Sequence, residues 1–199
     1  MRVVAGALRG LRLESIVKED IRPTTDKVKE SVFNILQFEI RGKIFLDLFG
    51  GSGQMGIEAA SRGASEVIIV EKNFEALDII EKNLKKIQNK FNISVINSYA
   101  SDFLVKMKND FENEQINKNK VKDKIKNTRK NKIDIAFLDP PYKSRFLDES
   151  SQEIDAVMDE KGIIITETAS NQMCQTNIGR FKNTKSYKYG NVMVSFYKI

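Results

Sequence analysis

Two short stretches of the chain carry residue types and spacings that could do chemistry. Asp139-Pro140-Pro141-Tyr142 follows the apolar run Ile133–Leu138. Each proline fixes its own φ and donates no hydrogen bond. The Asp139 carboxylate and the Pro140 carbonyl therefore make a stiff pair of acceptors, with Pro141 stiffening the turn behind them. Such a pair suits a planar –NH2 group: it takes both N–H bonds and turns the nitrogen lone pair outward. Tyr142 offers a flat face on which a base could stack. The second stretch, Gly51-Ser52-Gly53-Gln54-Met55-Gly56, is a literal G-x-G-x-x-G, and Glu71 stands 20 positions after Gly51. With a strand before it and a helix after it, this pattern marks an adenosine-type cofactor loop. Glycine lets the backbone approach a ligand closely, and the acid accepts hydrogen bonds from ribose hydroxyls.

Asp47, four residues before Gly51, separates the candidate cofactors. A carboxylate there repels a dinucleotide pyrophosphate. It attracts S-adenosylmethionine, whose sulfonium and amino groups are cationic. Each motif also has a purely structural reading: tight strand–helix packing for the glycines, a loop cap for Asp47, a strand-ending turn for the prolines.

Composition removes other chemistries. The 199 residues contain one cysteine, Cys174, and no histidine. Disulfide frameworks, Cys/His zinc sites and His-based triads or dyads are excluded. Acid–base work falls to carboxylates, amines, phenols or backbone, and no metal is expected. No apolar run approaches the ~18 residues of a membrane helix, and the first residues lack a signal-peptide pattern. A cytoplasmic protein with no membrane partner is the expectation.

The elements that must hold these motifs can be read from periodicity. Residues 2–5 and 10–16 alternate around Gly6 and Gly10 as a small hairpin arm, taken here as a unit over 1–22. Arg22-Pro23-Thr24-Thr25-Asp26 reads as a turn and helix start with a threonine cap. The helix follows to about Gln37, with Val28, Val32, Ile35 and Leu36 on one stripe. Strands are expected at Lys43–Phe49, Glu66–Glu71, Ile93–Asn97, Ile133–Leu138 and Gly162–Glu167. Helices are expected at Gln54–Arg62, Asn73–Asn89, Asp102–Lys108 and about Leu147–Met158. Phe181–Tyr187 and Asn191–Tyr197 close the chain as a hairpin around Tyr189-Gly190-Asn191. Continuous apolar strands alternating with helices imply a parallel sheet covered on both faces. The expected fold is α/β and Rossmann-like: a mostly parallel seven-stranded sheet with a C-terminal antiparallel hairpin, over 23–199.

The net charge is +6. Residues 106–132 hold 10 Lys/Arg against 4 Asp/Glu, and the rest of the chain balances. This Lys/Asn-rich stretch has no apolar periodicity and reads as a long surface insertion or disordered loop. Two smaller clusters contain no acids. Arg2, Arg9 and Arg12 lie in residues 1–12; Arg180, Lys182, Lys185, Lys188 and Lys198 lie in residues 180–199. A face built from the two termini would suit phosphate.

The chain resembles the RsmD family of bacterial 16S rRNA guanine-N2 methyltransferases, within the class I S-adenosylmethionine fold. The resemblance runs through Arg2–Gly6 with Arg9-Gly10, Arg22-Pro23-Thr24, Lys29–Asn34, Leu46–Gly53, Val70–Asn73, Asp139–Tyr142 and Tyr189-Gly190. It implies S-adenosylmethionine as cofactor and S-adenosylhomocysteine as product, with Asp47, Phe49, Gly51, Ser52, Gly53, Glu71 and Lys72 around the cofactor. Its adenine would meet Tyr99, Ala100 or Asp102, because this chain lacks the Asp-Ala pair that similar proteins carry after the third strand. It implies a catalytic set of Asp139, Pro140, Pro141 and Tyr142. It also implies 16S rRNA as partner, in a partly assembled small ribosomal subunit, with a monomeric enzyme contacting RNA through Arg2, Arg9, Arg12, Arg22, Lys185 and Lys188. A DNA adenine-N6 methyltransferase shares the Asp-Pro-Pro-Tyr motif but usually needs a separate reading domain. A protein glutamine methyltransferase typically carries Asn at the position of Asp139. A nicotinamide oxidoreductase leaves Asp47 and Asp139–Tyr142 unexplained. A catalytically silent RNA-binding protein would not need the intact cofactor and amine motifs.

Overall fold

The computed structural model describes residues 1–15, 26–88, 90–118, 132–141, 144–172 and 174–199. Arg22, the threonine cap, Tyr142 and residues 119–131 of the Lys/Asn-rich stretch lie outside the described residues. The strands are β1 (Ile44–Asp47), β2 (Glu66–Glu71), β3 (Ile93–Asn97), β4 (Ile133–Leu138), β5 (Met158–Ala169), β6 (Asn177–Ile178), β7 (Phe181–Tyr189) and β8 (Val192–Lys198). They form one sheet in the order β3-β2-β1-β4-β5-β8-β7-β6. β1 to β5 are mutually parallel, and β5–β8, β7–β8 and β6–β7 are antiparallel. The fold is thus the expected one, with the two-residue β6 added at the edge.

Helices cover both faces. One core joins α1 (Asp26–Ile35), α2 (Gln54–Ser61) and α3 (Phe74–Lys86) to the sheet through Val28, Phe33, Leu36, Met55, Ala59 and Ile80. The other face carries α4 (Ala100–Lys118), α5 (Phe146–Glu149) and α6 (Ser151–Val157), with Leu104, Leu147, Ile154 and Val157 inside. β1, β2 and β4, in the middle of the sheet, are buried almost from end to end, as continuous apolar runs in a doubly covered parallel sheet should be.

Several local expectations need correction. The 102–108 helix begins earlier and runs to Lys118, so the first half of the charged stretch is helix rather than loop. Phe111, one turn beyond Met107, packs against the core and carries the helix on. The single helix at 147–158 is two short ones, and β5 begins at Met158. α1 stops at Ile35; that residue is exposed, and Phe33 takes its place in the core. The first strand and the helix at 73–89 are shorter at their ends than expected. The amino-terminal arm does fold back on itself: beside the antiparallel Arg2–Arg12 bridge, the N–H groups of Val3, Gly10 and Leu13 donate to the carbonyls of Leu11, Val3 and Met1.

That arm lies along α2. The buried Glu58 carboxylate accepts the Val4 and Ala5 N–H groups at 2.8 and 3.0 Å and pairs with Arg62 Nε at 2.7 Å. Ser61 Oγ accepts from Leu8 N and donates to the Ala5 carbonyl. Val3 and Leu13 pack on Ile57. Lys29, fully buried, ties three pieces together: its Nζ donates to the Arg2 carbonyl at 2.7 Å, to Asp26 at 3.2 Å and to Gln54 Oε1 at 3.5 Å.

Candidate active site

The site is built at the carboxyl ends of β1, β2, β4 and β5, where ligands sit in open α/β sheets. β1 ends in Asp47 and runs into the glycine loop. Gly51 has φ +53°, a left-handed value that favours glycine, and a Cβ there would point into open space. Gly56 serves a different purpose. It lies in α2, where a Cβ would come within 2.8 Å of the Ile69 side chain, so its absence lets helix and sheet close on each other. Ser52 is buried, and its carbonyl accepts from Asn83 Nδ2 at 3.0 Å. The arm reaches this loop too, with Met1 Sδ 3.8 Å from Ser52 Oγ.

Glu71 ends β2 and organises the loop beside it. Its Oε2 accepts the Gly51 N–H at 2.8 Å, and its Oε1 accepts the Lys72 and Asn73 N–H groups, each at 2.8 Å. The exposed Lys72 ammonium lies 4.7 Å from the centre of the Tyr99 ring, a cation–π contact at the mouth of the site. Ala100 packs inward, whereas Asp102 is exposed and accepts from Ser101. Phe49 stands edge-on to Phe146, ring centres 4.9 Å apart, and so joins β1 to α5.

Strand register brings three acids onto one face of three adjacent strands, Asp139 and Glu167 level with each other and Asp47 two residues lower. Asp47 pairs with Phe137, and Leu138 with Thr166, so Asp139 and Glu167 extend neighbouring strands side by side. Alternation puts Asp47, Asp139 and Glu167 on the face of Phe45, Phe137 and Ile165. Asp47 is 1% exposed and accepts one N–H, from Gly56, at 3.1 Å. Burial pushes its carboxyl up to about 8, and the charge of Glu71 adds to the rise, against the pull of the Gly56 bond. Asp139 keeps some accessible surface, yet its carboxyl sits deep among protein atoms. Burial first, then the charges of Glu167 and Asp47, holds it well above the usual carboxylate range. On the opposite face, Pro140, Pro141, Leu147, Thr168, Cys174 and Tyr197 line a cavity of about 250 Å³.

Asp47, Gly51, Ser52, Gly53 and Glu71 thus gather around one loop, with Asp139 and Pro140 across from them. Lys72 and Tyr99 stand at the mouth. The basic residues do not gather. Arg2, Arg9 and Arg12 are exposed on the arm. Lys185 pairs with Phe196 and Lys188 with Met193, which puts the two lysines on opposite faces of β7. Sequence reasoning missed Glu167. It ends the run Ile163-Ile164-Ile165-Thr166 and reads there as the point where a strand reaches solvent, but it is 2% exposed. An acid closing a fully apolar strand was the available signal. Among the described residues no group of carboxylates and cysteine could hold a metal ion, and no helix is long and apolar enough to cross a membrane.

A doubly covered parallel sheet, closed by an antiparallel hairpin and carrying these loops at its carboxyl edge, is the Rossmann-like methyltransferase fold. The family described as Conserved hypothetical protein 95 matches residues 1–113 and 101–198, and the chain belongs to this RsmD-like family. The candidate rRNA methyltransferase YlbH of Bacillus subtilis is 33% identical over 202 residues, spanning 100% of this chain and 98% of that protein. Ribosomal RNA small subunit methyltransferase D of Haemophilus influenzae is 34% identical over 143 residues, 71% of this chain and 64% of that protein. Among solved structures, the candidate methyltransferase yhhF of Escherichia coli superposes with a TM-score of 0.77 at 27% identity, covering 99% and 96% of the two chains. At 15% identity the fold alone is shared with SMU.776, a candidate methyltransferase solved in complex with SAH (TM-score 0.61, 86% of this chain and 49% of that one).

Proposed function

We propose that this chain is an S-adenosylmethionine-dependent methyltransferase that acts on the exocyclic N2 amine of a guanine in 16S rRNA of the small ribosomal subunit. The observation that carries the reading is the Asp139-Pro140 acceptor pair, set among acids that face the glycine loop. The names of the relatives point to ribosomal RNA, and that of the Haemophilus protein to the small subunit.

The residues fit the cofactor. Buried acids on one face suit a sulfonium and an ammonium, and the space over Gly51 leaves the loop open to a ligand. S-adenosylmethionine, when bound, supplies a methyl group on cationic sulfur, and its transfer to the base nitrogen leaves S-adenosylhomocysteine. Asp47 would hold positive charge near β1, and Glu71, its geometry fixed by three backbone N–H groups, would take the ribose hydroxyls. Asp139 and the Pro140 carbonyl would accept the two N–H bonds of the amine and aim its lone pair at the methyl carbon. As the bond forms, positive charge grows on that nitrogen beside the ionised Asp139 carboxylate, which takes the proton the amine sheds. Positioning and fixed negative charge are the main contributions. The target base must leave its stack to reach this edge.

Mass-spectrometric mapping of rRNA methylation in a deletion strain and its parent tests the reading. One N2-methylguanine should vanish from 16S rRNA, return with the wild-type gene and stay absent with Asp139→Ala. An unchanged 16S map, or loss of a methylated adenine from DNA, would overturn it.

A further inference from the structure

We propose that the cavity beside Pro140 and Pro141 receives the Watson–Crick edge of the target guanine, with Gln175 accepting from N1–H and Thr168 donating to O6. This deepens the guanine-methylation reading above and rests on it. The cavity measures about 250 Å³ and is lined from the ends of β4 and β5, from α5 and from the connection to β6. Leu147 and Tyr197 are its buried floor, and the exposed Pro141 lies at its mouth. A cavity of ~150 Å³ already holds a benzene molecule, so this one has room for the six-membered ring of a purine. Its lining is also the place where polar groups go unpaired. Among the described residues, two buried side-chain polar atoms lack a hydrogen-bond partner, Thr168 Oγ1 and Gln175 Oε1, and both residues line this cavity. An unpaired buried oxygen is costly, and a guest that pairs it recovers that cost.

The sheet sets this cavity next to the amine acceptors. Leu138 pairs with Thr166, so Pro140 and Thr168, each two residues further on, stand level at the carboxyl edge. β4 has ended by then. A base can therefore lie across the end of the strand, its amine toward Asp139 and the Pro140 carbonyl and its edge running on toward β5. The step from N2 to O6 of guanine is about one strand spacing, ~4.8 Å. Along that edge guanine offers the amine, the N1–H donor and the O6 acceptor. The protein offers the matching set: the Asp139-Pro140 acceptors, an amide oxygen and a hydroxyl. The amide has a defined sense, because Gln175 Nε2 donates to Asp148 and leaves Oε1 as the acceptor. A turn about χ1 presents the Thr168 hydroxyl to the guest, and Gln175 moves with the β5–β6 connection. In adenine the exocyclic amine is flanked by a ring nitrogen that only accepts, so the amide oxygen would meet a lone pair and stay unmatched. Thr168 and Gln175 thus select guanine among bases that carry an amine.

The experiment compares methyl transfer to small-subunit particles whose 16S rRNA carries guanine or 2-aminopurine at the mapped target. 2-Aminopurine keeps the amine and lacks both N1–H and O6. The readout is the guanine preference in kcat/KM of each variant relative to wild type, in which the intrinsic reactivities of the two amines cancel. Thr168→Val and Gln175→Met should each cut that preference by about 5-fold or more. Thr168→Ser keeps the hydroxyl and should change it by less than about 2-fold. S-adenosylmethionine affinity should be unchanged in all three. The free protein gives a second check. Thr168→Val removes a hydroxyl that has no partner there, so its melting temperature should equal or exceed that of wild type. A lower melting temperature would mean that the hydroxyl is already satisfied without a base, and would overturn the proposal. Full preference retained by both Thr168→Val and Gln175→Met would overturn it too and leave the cavity to water. Absence of any N2 methylation of guanine by wild-type enzyme overturns the guanine-methylation reading itself, and this proposal with it.

Discussion

Asp47 and Asp139 are costly residues in the ligand-free protein, and that cost is the source of two measurable pH dependences. The ordinary value for Asp47 is 3.8, and burial lifts it to about 8 in the folded chain. Between those values the folded state keeps a proton that the unfolded state has lost. The contribution of this group to stability is therefore fully present below pH 3.8 and is lost as pH rises toward 8, at up to about 1.4 kcal/mol per pH unit. Urea titrations between pH 6 and pH 8.5 should show wild type weakening and Asp47→Asn much less so; parallel slopes would mean that Asp47 does not titrate there. A cation that prefers the ionised form must displace the same proton. S-adenosylmethionine should bind more tightly as pH rises to 8 and release a proton, visible as buffer-dependent heat in calorimetry. Asp139 is raised by burial and by its acidic neighbours. Its ionised form is the one that holds the amine, so kcat/KM should fall toward acid with a midpoint above the usual carboxylate range. Asp139→Asn keeps one acceptor oxygen and should retain more activity than Asp139→Ala while losing that acid limb.

At the scale of elements, the clearest commitment is the clamp between the arm and α2. Glu58 is fully buried and holds two backbone N–H groups and Arg62, whose guanidinium also lies 5.1 Å from the Phe33 ring centre. Glu58→Ala leaves a nearly buried cation and two donors without their acceptor, so a loss of about 3–5 kcal/mol is expected. Limited proteolysis should then cut within residues 1–15, which the wild type protects; an equally resistant arm would mean that the apolar contacts of Val3 and Leu13 suffice. Nothing in the sequence announced this clamp, because a glutamate inside an amphipathic helix reads as a surface residue. The legible elements were those whose signal is local. β2 and β4 have the bounds expected from their apolar runs, since a strand buried on both faces must be apolar from end to end, and the half-exposed edge strand β3 also keeps its expected bounds. The glycine loop and Asp139-Pro140-Pro141 were legible for a similar reason: their residue types are restricted by backbone chemistry, not by distant partners. α4 was not, because Phe111 is the single residue beyond Met107 that packs inward among the described side chains, and one residue makes no period. Glu167 escaped because its meaning lies across the sheet, in Asp139 and Asp47.

On the scale of the molecule, the arm gives the positive charge a direction. It starts at the glycine loop, where Met1 meets Ser52, and runs along α2 to its far end, where Ala7 N–H donates to the Ser61 carbonyl. Arg2 and its bridge partner Arg12 therefore stand nearer the loop, and Arg9 sits at the distant turn. On the other side of the site, Lys188 lies near the end of β7 that borders the carboxyl edge of β5, since Met193 pairs with both Lys188 and Thr168. Lys185 lies further down the strand on the opposite face. An RNA strand that delivers a base to Asp139 would pass Arg2, Arg12 and Lys188 first. Each phosphate contact adds about −0.7 to the log–log salt slope on single-stranded RNA. Replacing Arg2, Arg12 and Lys188 with alanine should flatten the slope by about 2 and weaken binding at low salt, with S-adenosylmethionine affinity unchanged. Replacing Arg9 and Lys185 should change it by less than about 0.7. Filter binding across a salt series decides between them: a larger effect from the second pair would put the RNA across the far end of α2 and the outer face of β7, away from the carboxyl edge on which Asp139 and Glu167 stand.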